Sequence, residues 1–146
     1  MPHWLVYHPP STYADDESKD ALVKAITDFY VGVVGMPAFY VVVNFIKVAH
    51  EDFYVGGVRR GPDDKPFIRF TINHVAHNYP DDDKVIREAG DVFNELLIPL
   101  MKGKYDWEFH ISETDRRLWK TNGFTPPEAD SEGLKLWVKE NRPVPY

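Results

Sequence analysis

Twice along this chain a strand-like run gives way to a helical apolar stripe and then to a second strand-like run. That repeat restricts the fold more than any single motif. Residues 3–8 (HWLVYH) are rich in aromatic and β-branched types and stop at Pro9-Pro10, the mark of a strand entering a loop. From Asp16 to about Val34, Leu22, Ala25, Ile26, Phe29 and Val33 keep helical spacing, with Asp and Ser near the start to cap it and Gly35 to end it. Residues 38–48 (AFYVVVNFIKV) are almost unbroken apolar sequence, which predicts a strand covered on both faces.

The second round follows a predicted hairpin at 53–61 around Gly56-Gly57 and the turn Gly61-Pro62-Asp63-Asp64. In 66–75 (PFIRFTINHV), Ile68, Phe70 and Ile72 alternate with Arg69, Thr71 and Asn73, so the two sets face opposite ways. After Pro80-Asp81, Ile86, Ala89, Phe93, Leu96, Leu97 and Leu100 predict a second helix running to Gly103. The acids Asp81-Asp82-Asp83 at its start suit the helix dipole. Residues 105–111 (YDWEFHI) predict another strand, and Ser112 to about Asn122 a short helix stopped by Gly123.

The fold class this predicts is α/β (α+β): duplicated β-α-β units forming a four-stranded sheet with two helices on one face. One domain over residues 2–127 is expected, followed by a Pro-containing tail, 128–146, that wraps over a surface of this chain or of a neighbouring subunit. The doubly apolar run 38–48 leaves the second sheet face in need of a cover, and another copy of the chain supplies one.

The 146-residue length suits one domain with a real core. A net charge of −6 and a pI near 5.4 argue against nucleic acid or a membrane surface as partner. The absence of cysteine excludes disulfides and thiolate chemistry and fits a reducing compartment. No basic-then-apolar leader pattern opens the chain, and apolar stretches break well before membrane-spanning length, so a cytoplasmic location is expected.

Proline directly after the initiator Met is the feature that points to chemistry. Removal of Met1 would leave Pro2 with a free secondary amine. Burial and nearby cations lower the pKa of such an amine, and a neutral amine can move a proton on carbon next to a carbonyl. Other side chains are candidates for substrate binding. His74 and His77 either grip an anion or polarise a carbonyl, or are a solvated pair. H-x-x-H without a third ligand makes no zinc site, so no metal and no cofactor are expected. Tyr30 either packs in the core or turns its hydroxyl to the pocket, Phe109 lines a core or pocket wall, and Lys120 is a candidate contact for a carboxylate. Arg116 and Arg117 read as the solvated face of the short helix.

An amino-terminal proline opening the first strand and two βαβ units resemble the tautomerase superfamily. Lys24-Ala25-Ile26-Thr27-Asp28, Val43-Asn44-Phe45, Gly56-Gly57-Val58 and Phe124-Thr125-Pro126 resemble markers of the cis-3-chloroacrylic acid dehalogenase family over roughly residues 2–127. The resemblance implies a homotrimer, Pro2 as catalytic base, no cofactor, and a small carboxylate as substrate. Tyr30 stands where that family has a histidine, His74 and His77 where it has two arginines, Phe109 where it has a tyrosine, and Lys120 nearest to its glutamate. The groups that activate water in the family are therefore replaced. The expectation is a tautomerase acting on enol or keto carboxylic acids, with weak hydratase or dehalogenase activity at most. The alternative is a non-catalytic trimeric binding or scaffold protein of the same fold.

Overall fold

The computed structural model describes residues 1–146. In chain order, β1 (His3–His8), α1 (Asp16–Gly32) and β2 (Val42–Lys47) form one βαβ unit. A hairpin of β3 (Tyr54–Val55) and β4 (Val58–Arg59) follows, then a second unit of β5 (Phe67–His74), α2 (Asp83–Met101) and β6 (Asp106–Glu113). Within each unit the strands pair in parallel, and β1 joins β5 antiparallel, which gives the sheet order β2-β1-β5-β6.

Side chains alternate as period-two patterning demands. Trp4, Val6, Ile68, Phe70 and Ile72 are buried toward the helices. Leu22, Ile26 and Tyr30 of α1 and Phe93, Leu97 and Met101 of α2 meet them, so both helices cover one sheet face. Burial of each large apolar side chain contributes about 1.5–3 kcal/mol, and this layer is the main source of stability. Asp15 caps α1 by accepting from the Ser18 N–H, and Asp82 caps α2 by accepting from Lys84 and Val85. Gly56 and Gly57 both adopt positive φ (60° and 80°), as a two-residue hairpin turn of this kind requires.

Three expectations need correction. The apolar run 38–48 is not one strand, because Pro37 (φ −59°) starts a 3-10 turn over Ala38–Tyr40 and only Val42–Lys47 enters the sheet. Phe39 and Tyr40 thereby leave the sheet altogether. The remaining strand sends Val43 and Phe45 toward the helices, while Val42, Asn44 and Ile46 occupy the other face. Residues 112–122 are not a helix. β6 continues to Glu113, and Asp115 then caps a single 3-10 turn at Arg116–Leu118 that ends where Trp119 is buried.

The tail also departs from expectation, since it builds core. Ser131 caps α3 (Glu132–Glu140), and Asn141 ends it in the left-handed region at φ 48°. Trp137 is completely buried and joins Tyr40 and Trp119 in a second apolar cluster, which Phe39, Phe124, Leu134 and Val144 surround. The Trp137 indole N–H donates to Val144 O (2.7 Å), and the Tyr146 hydroxyl donates to Thr125 O (2.9 Å). No helix is long and apolar enough to cross a membrane.

Candidate active site

Pro2 stands at the head of β1, a strand hydrogen-bonded on both sides. Its ring is buried, and its carbonyl accepts from the Val42 N–H at 3.0 Å. The antiparallel register pairs His3 with Asn73, which carries Pro2 alongside His74 on the helix-facing side of the sheet. Tyr30, at the end of α1, reaches the same place from above.

These residues border a cavity of about 440 Å³. Met1 and Pro2 line it, together with Val33, Val34 and Met36 after α1. His74 at the end of β5, Val75 to His77 and Tyr79 after it, Arg116 and Tyr40, and Pro127, Ala129, Asp130 and Leu134 near the C-terminus complete the lining. Four residues singled out in the sequence, Pro2, Tyr30, His74 and His77, therefore come together, with His77 exposed at the rim.

Phe109 and Lys120 are not part of this cavity. Phe109 is paired with Phe70 in the middle of β6 and stacks on Trp107 (centroids 6.3 Å apart, planes 12° apart), so it belongs to the core layer. Lys120 is exposed and donates to the Thr125 hydroxyl. The helix that was to present Lys120 does not form, and the chain runs on into a bridge between Thr121 and Phe124.

Burial dominates the electrostatics. The α-amino group, here on Met1, is brought down to about 4 by desolvation and secondly by the Arg116 guanidinium. His74 is likewise lowered to about 4, by desolvation first and then by the α-amino group and His77. Burial raises the Tyr30 phenol far above its ordinary value and pushes Tyr40 up to about 12. At neutral pH the site thus presents two uncharged bases beside two protonated phenols. The structure gathers no group of three or more His, Asp or Glu side chains that could hold a metal ion.

Arg116 is the cation of the pocket, and the sequence reading placed it wrongly on a solvated face. Its Nη1 donates to Ala76 O (3.0 Å), its Nη2 to Pro126 O (3.0 Å) and Pro127 O, and its Nε lies 3.4 Å from the Glu128 carboxylate. The available signal was Pro126-Pro127, a segment outside regular structure whose carbonyls need donors from elsewhere; a planar guanidinium fork suits that need. Tyr40 and Tyr79 were also missed, since their types and spacing carry no mark that separates them from core residues.

Comparison with known proteins agrees with this architecture. RhCC from Rhodococcus jostii RHA1 is 40% identical over 99% of this chain and 99% of its own, with a TM-score of 0.86. A structure described as "a probable enzyme from the thermophilic fungus Aspergillus fumigatus" is 40% identical over 100% of this chain and 98% of its own, also with a TM-score of 0.86. The F6 fused 4-OT, recorded as an asymmetric trimer, shares the fold at 17% identity, over 84% of this chain and 94% of its own, with a TM-score of 0.61. No curated protein matches the chain. The model of the family described as "Putative oxalocrotonate tautomerase enzyme" matches residues 1–142. With its paired βαβ units and the proline at the head of β1, the chain belongs to this family of the tautomerase superfamily.

Proposed function

We propose that the protein is a cofactor-independent tautomerase in which Pro2, once Met1 is removed, carries a proton between oxygen and carbon of small enol or keto carboxylic acids. Within the superfamily we place it with the cis-3-chloroacrylic acid dehalogenase-like proteins. The observation that carries this reading is the position of Pro2. It heads an inner strand, its ring is buried, and it borders a cavity where desolvation and Arg116 hold the α-amino group of Met1, one residue before it, well below its ordinary pKa. The same burial and the same cation favour the unprotonated form of a freed prolyl nitrogen, which then takes the enol hydroxyl proton and returns it to the carbon next to the new carbonyl.

Arg116 provides positive potential for a substrate carboxylate, and Val33, Val34, Met36, Val75 and Leu134 offer an apolar wall for an alkyl or aryl group. His74 and His77 complete the binding groups, with Tyr30 bonded behind His74. Water activation is poorly provided for: Phe109 has no hydroxyl, Lys120 carries no carboxylate, and both lie off the cavity. Hydratase or dehalogenase turnover is accordingly weak beside tautomerisation. The assembly we propose is a homotrimer.

Intact-mass measurement joined to ketonisation of phenylenolpyruvate tests the reading. The mature chain is expected to begin at Pro2, and Pro2→Ala to lower kcat/KM by about 100-fold or more. An unchanged rate in that variant overturns the proline mechanism.

A further inference from the structure

The indole of Trp4, the phenol of Tyr30 and the imidazole of His74 form a buried hydrogen-bonded chain between the core and the cavity. Trp4 Nε1 lies 3.2 Å from the Tyr30 hydroxyl, which lies 2.7 Å from His74 Nε2. Trp4 is completely buried and Tyr30 is 2% exposed, and within the protein the Tyr30 hydroxyl has two hydrogen-bond partners, Trp4 and His74. An indole nitrogen only donates. The Tyr30 oxygen therefore accepts from Trp4, and its own proton needs an acceptor. The only other partner in reach is His74 Nε2. Were Nε2 to carry a proton instead, the Tyr30 O–H would be left buried without an acceptor, at a cost of about 1–3 kcal/mol.

Donor direction thus runs from Trp4 through Tyr30 to His74, and it leaves the imidazole proton on Nδ1. That nitrogen has no partner within the protein and is not among its sealed, unsatisfied polar atoms, while the ring borders the cavity next to Pro2. We propose that Trp4 and Tyr30 are positioning residues that lock His74 as the neutral Nδ1–H tautomer, so that His74 donates a hydrogen bond to the substrate oxygen on which charge develops.

This use of His74 rests on the tautomerase reading; the lock does not. It gives His74 the part of a neutral electrophile, neither a cationic clamp nor a second base. The groups around the ring agree with a neutral imidazole. They are the α-amino group of Met1 ahead of β1, the Tyr30 phenol from α1, Phe93 from α2, and His77 and Tyr79 from the loop after β5. Glu113, its register neighbour on β6, turns its carboxylate to the Tyr79 N–H at 2.8 Å.

Nitrogen-15 NMR of ring-labelled protein reads the tautomer directly. At pH 7, His74 is expected to show a protonated Nδ1 and a bare Nε2; in Tyr30→Phe the two tautomers are expected to mix. A proton on Nε2 in the native protein, or a doubly protonated ring, overturns the lock whether or not the protein turns over any substrate. Titration with phenylpyruvate reads the donor role without catalysis: the Nδ1 proton moves downfield on binding, and a stationary signal at saturation overturns that role. Where ketonisation is measurable, Tyr30→Phe is expected to lower kcat by about tenfold or more while KM changes little. An unchanged kcat alongside a released tautomer also overturns it. A protein that shows the lock and the downfield shift but no ketonisation contradicts the tautomerase reading alone.

Discussion

His74 is 8% exposed and has a pKa of about 4, against 6.5 for an imidazole in water. Between those values an unfolded chain takes up a proton that the folded one refuses, so stability falls as the solution is acidified. The contribution is complete above about pH 6.5 and is lost progressively toward pH 4, at most about 3 kcal/mol. His8, also lowered by burial, and the α-amino group act in the same direction. The melting temperature is therefore expected to drop from pH 6.5 to pH 4, and to drop less in His74→Gln; equal slopes in the two proteins contradict this account. At this scale residue type and a family likeness singled out Pro2, Tyr30, His74 and His77, which the fold brings to one cavity. Arg116 was harder to find, because its partners are mostly backbone carbonyls, and Pro126-Pro127 marks them only indirectly.

Among the elements, α3 is the one that the sequence concealed. Its short stripe of Leu134 and Trp137 lies among prolines and acids, and nothing in that composition tells a docked helix from a loose tail. The strands and long helices were readable because each carries its apolar period over several turns or pleats. The end of α1 and the break at Ala38–Tyr40 were less so, since apolar letters continue across both. Gly133 is the close contact that seats α3. A Cβ there would lie 2.6 Å from Tyr146 Cδ2, 2.8 Å from its Cγ and 3.0 Å from Pro127 Cβ. Gly133→Ala must push the Tyr146 ring away, and with it the bond to Thr125 O. A loss of about 1–3 kcal/mol on urea unfolding is expected, together with altered substrate affinity, because Pro127 and Leu134 form part of the cavity wall. Unaltered stability would show that the tail rests only lightly on the domain.

Across the whole molecule, the uncovered sheet face is less greasy than the sequence alone suggests. Leu5, Tyr7, Val42 and Ile46 are half-buried there, but Asn44 is bonded to His3 (2.7 Å) and Arg69 lies 3.1 Å from Glu108. Light scattering on dilute protein is expected to give three times the 16.9 kDa chain mass, and a single-chain mass would contradict the proposed homotrimer. The second apolar cluster has a different bearing on how the molecule comes into being. Met1 packs against that cluster and also lines the cavity, while the strand that follows is clasped by β2 on one side and β5 on the other. Once the sheet closes, Pro2 is buried and Met1 is half-buried at the cavity, so the Met1–Pro2 peptide bond is less accessible than in the unfolded chain. On the proposed proline mechanism, the methionine leaves most readily while the start of the chain is still loose at the ribosome. A copy that keeps Met1 carries that side chain on the lining of its own cavity, where it competes with a substrate for the space beside Pro2.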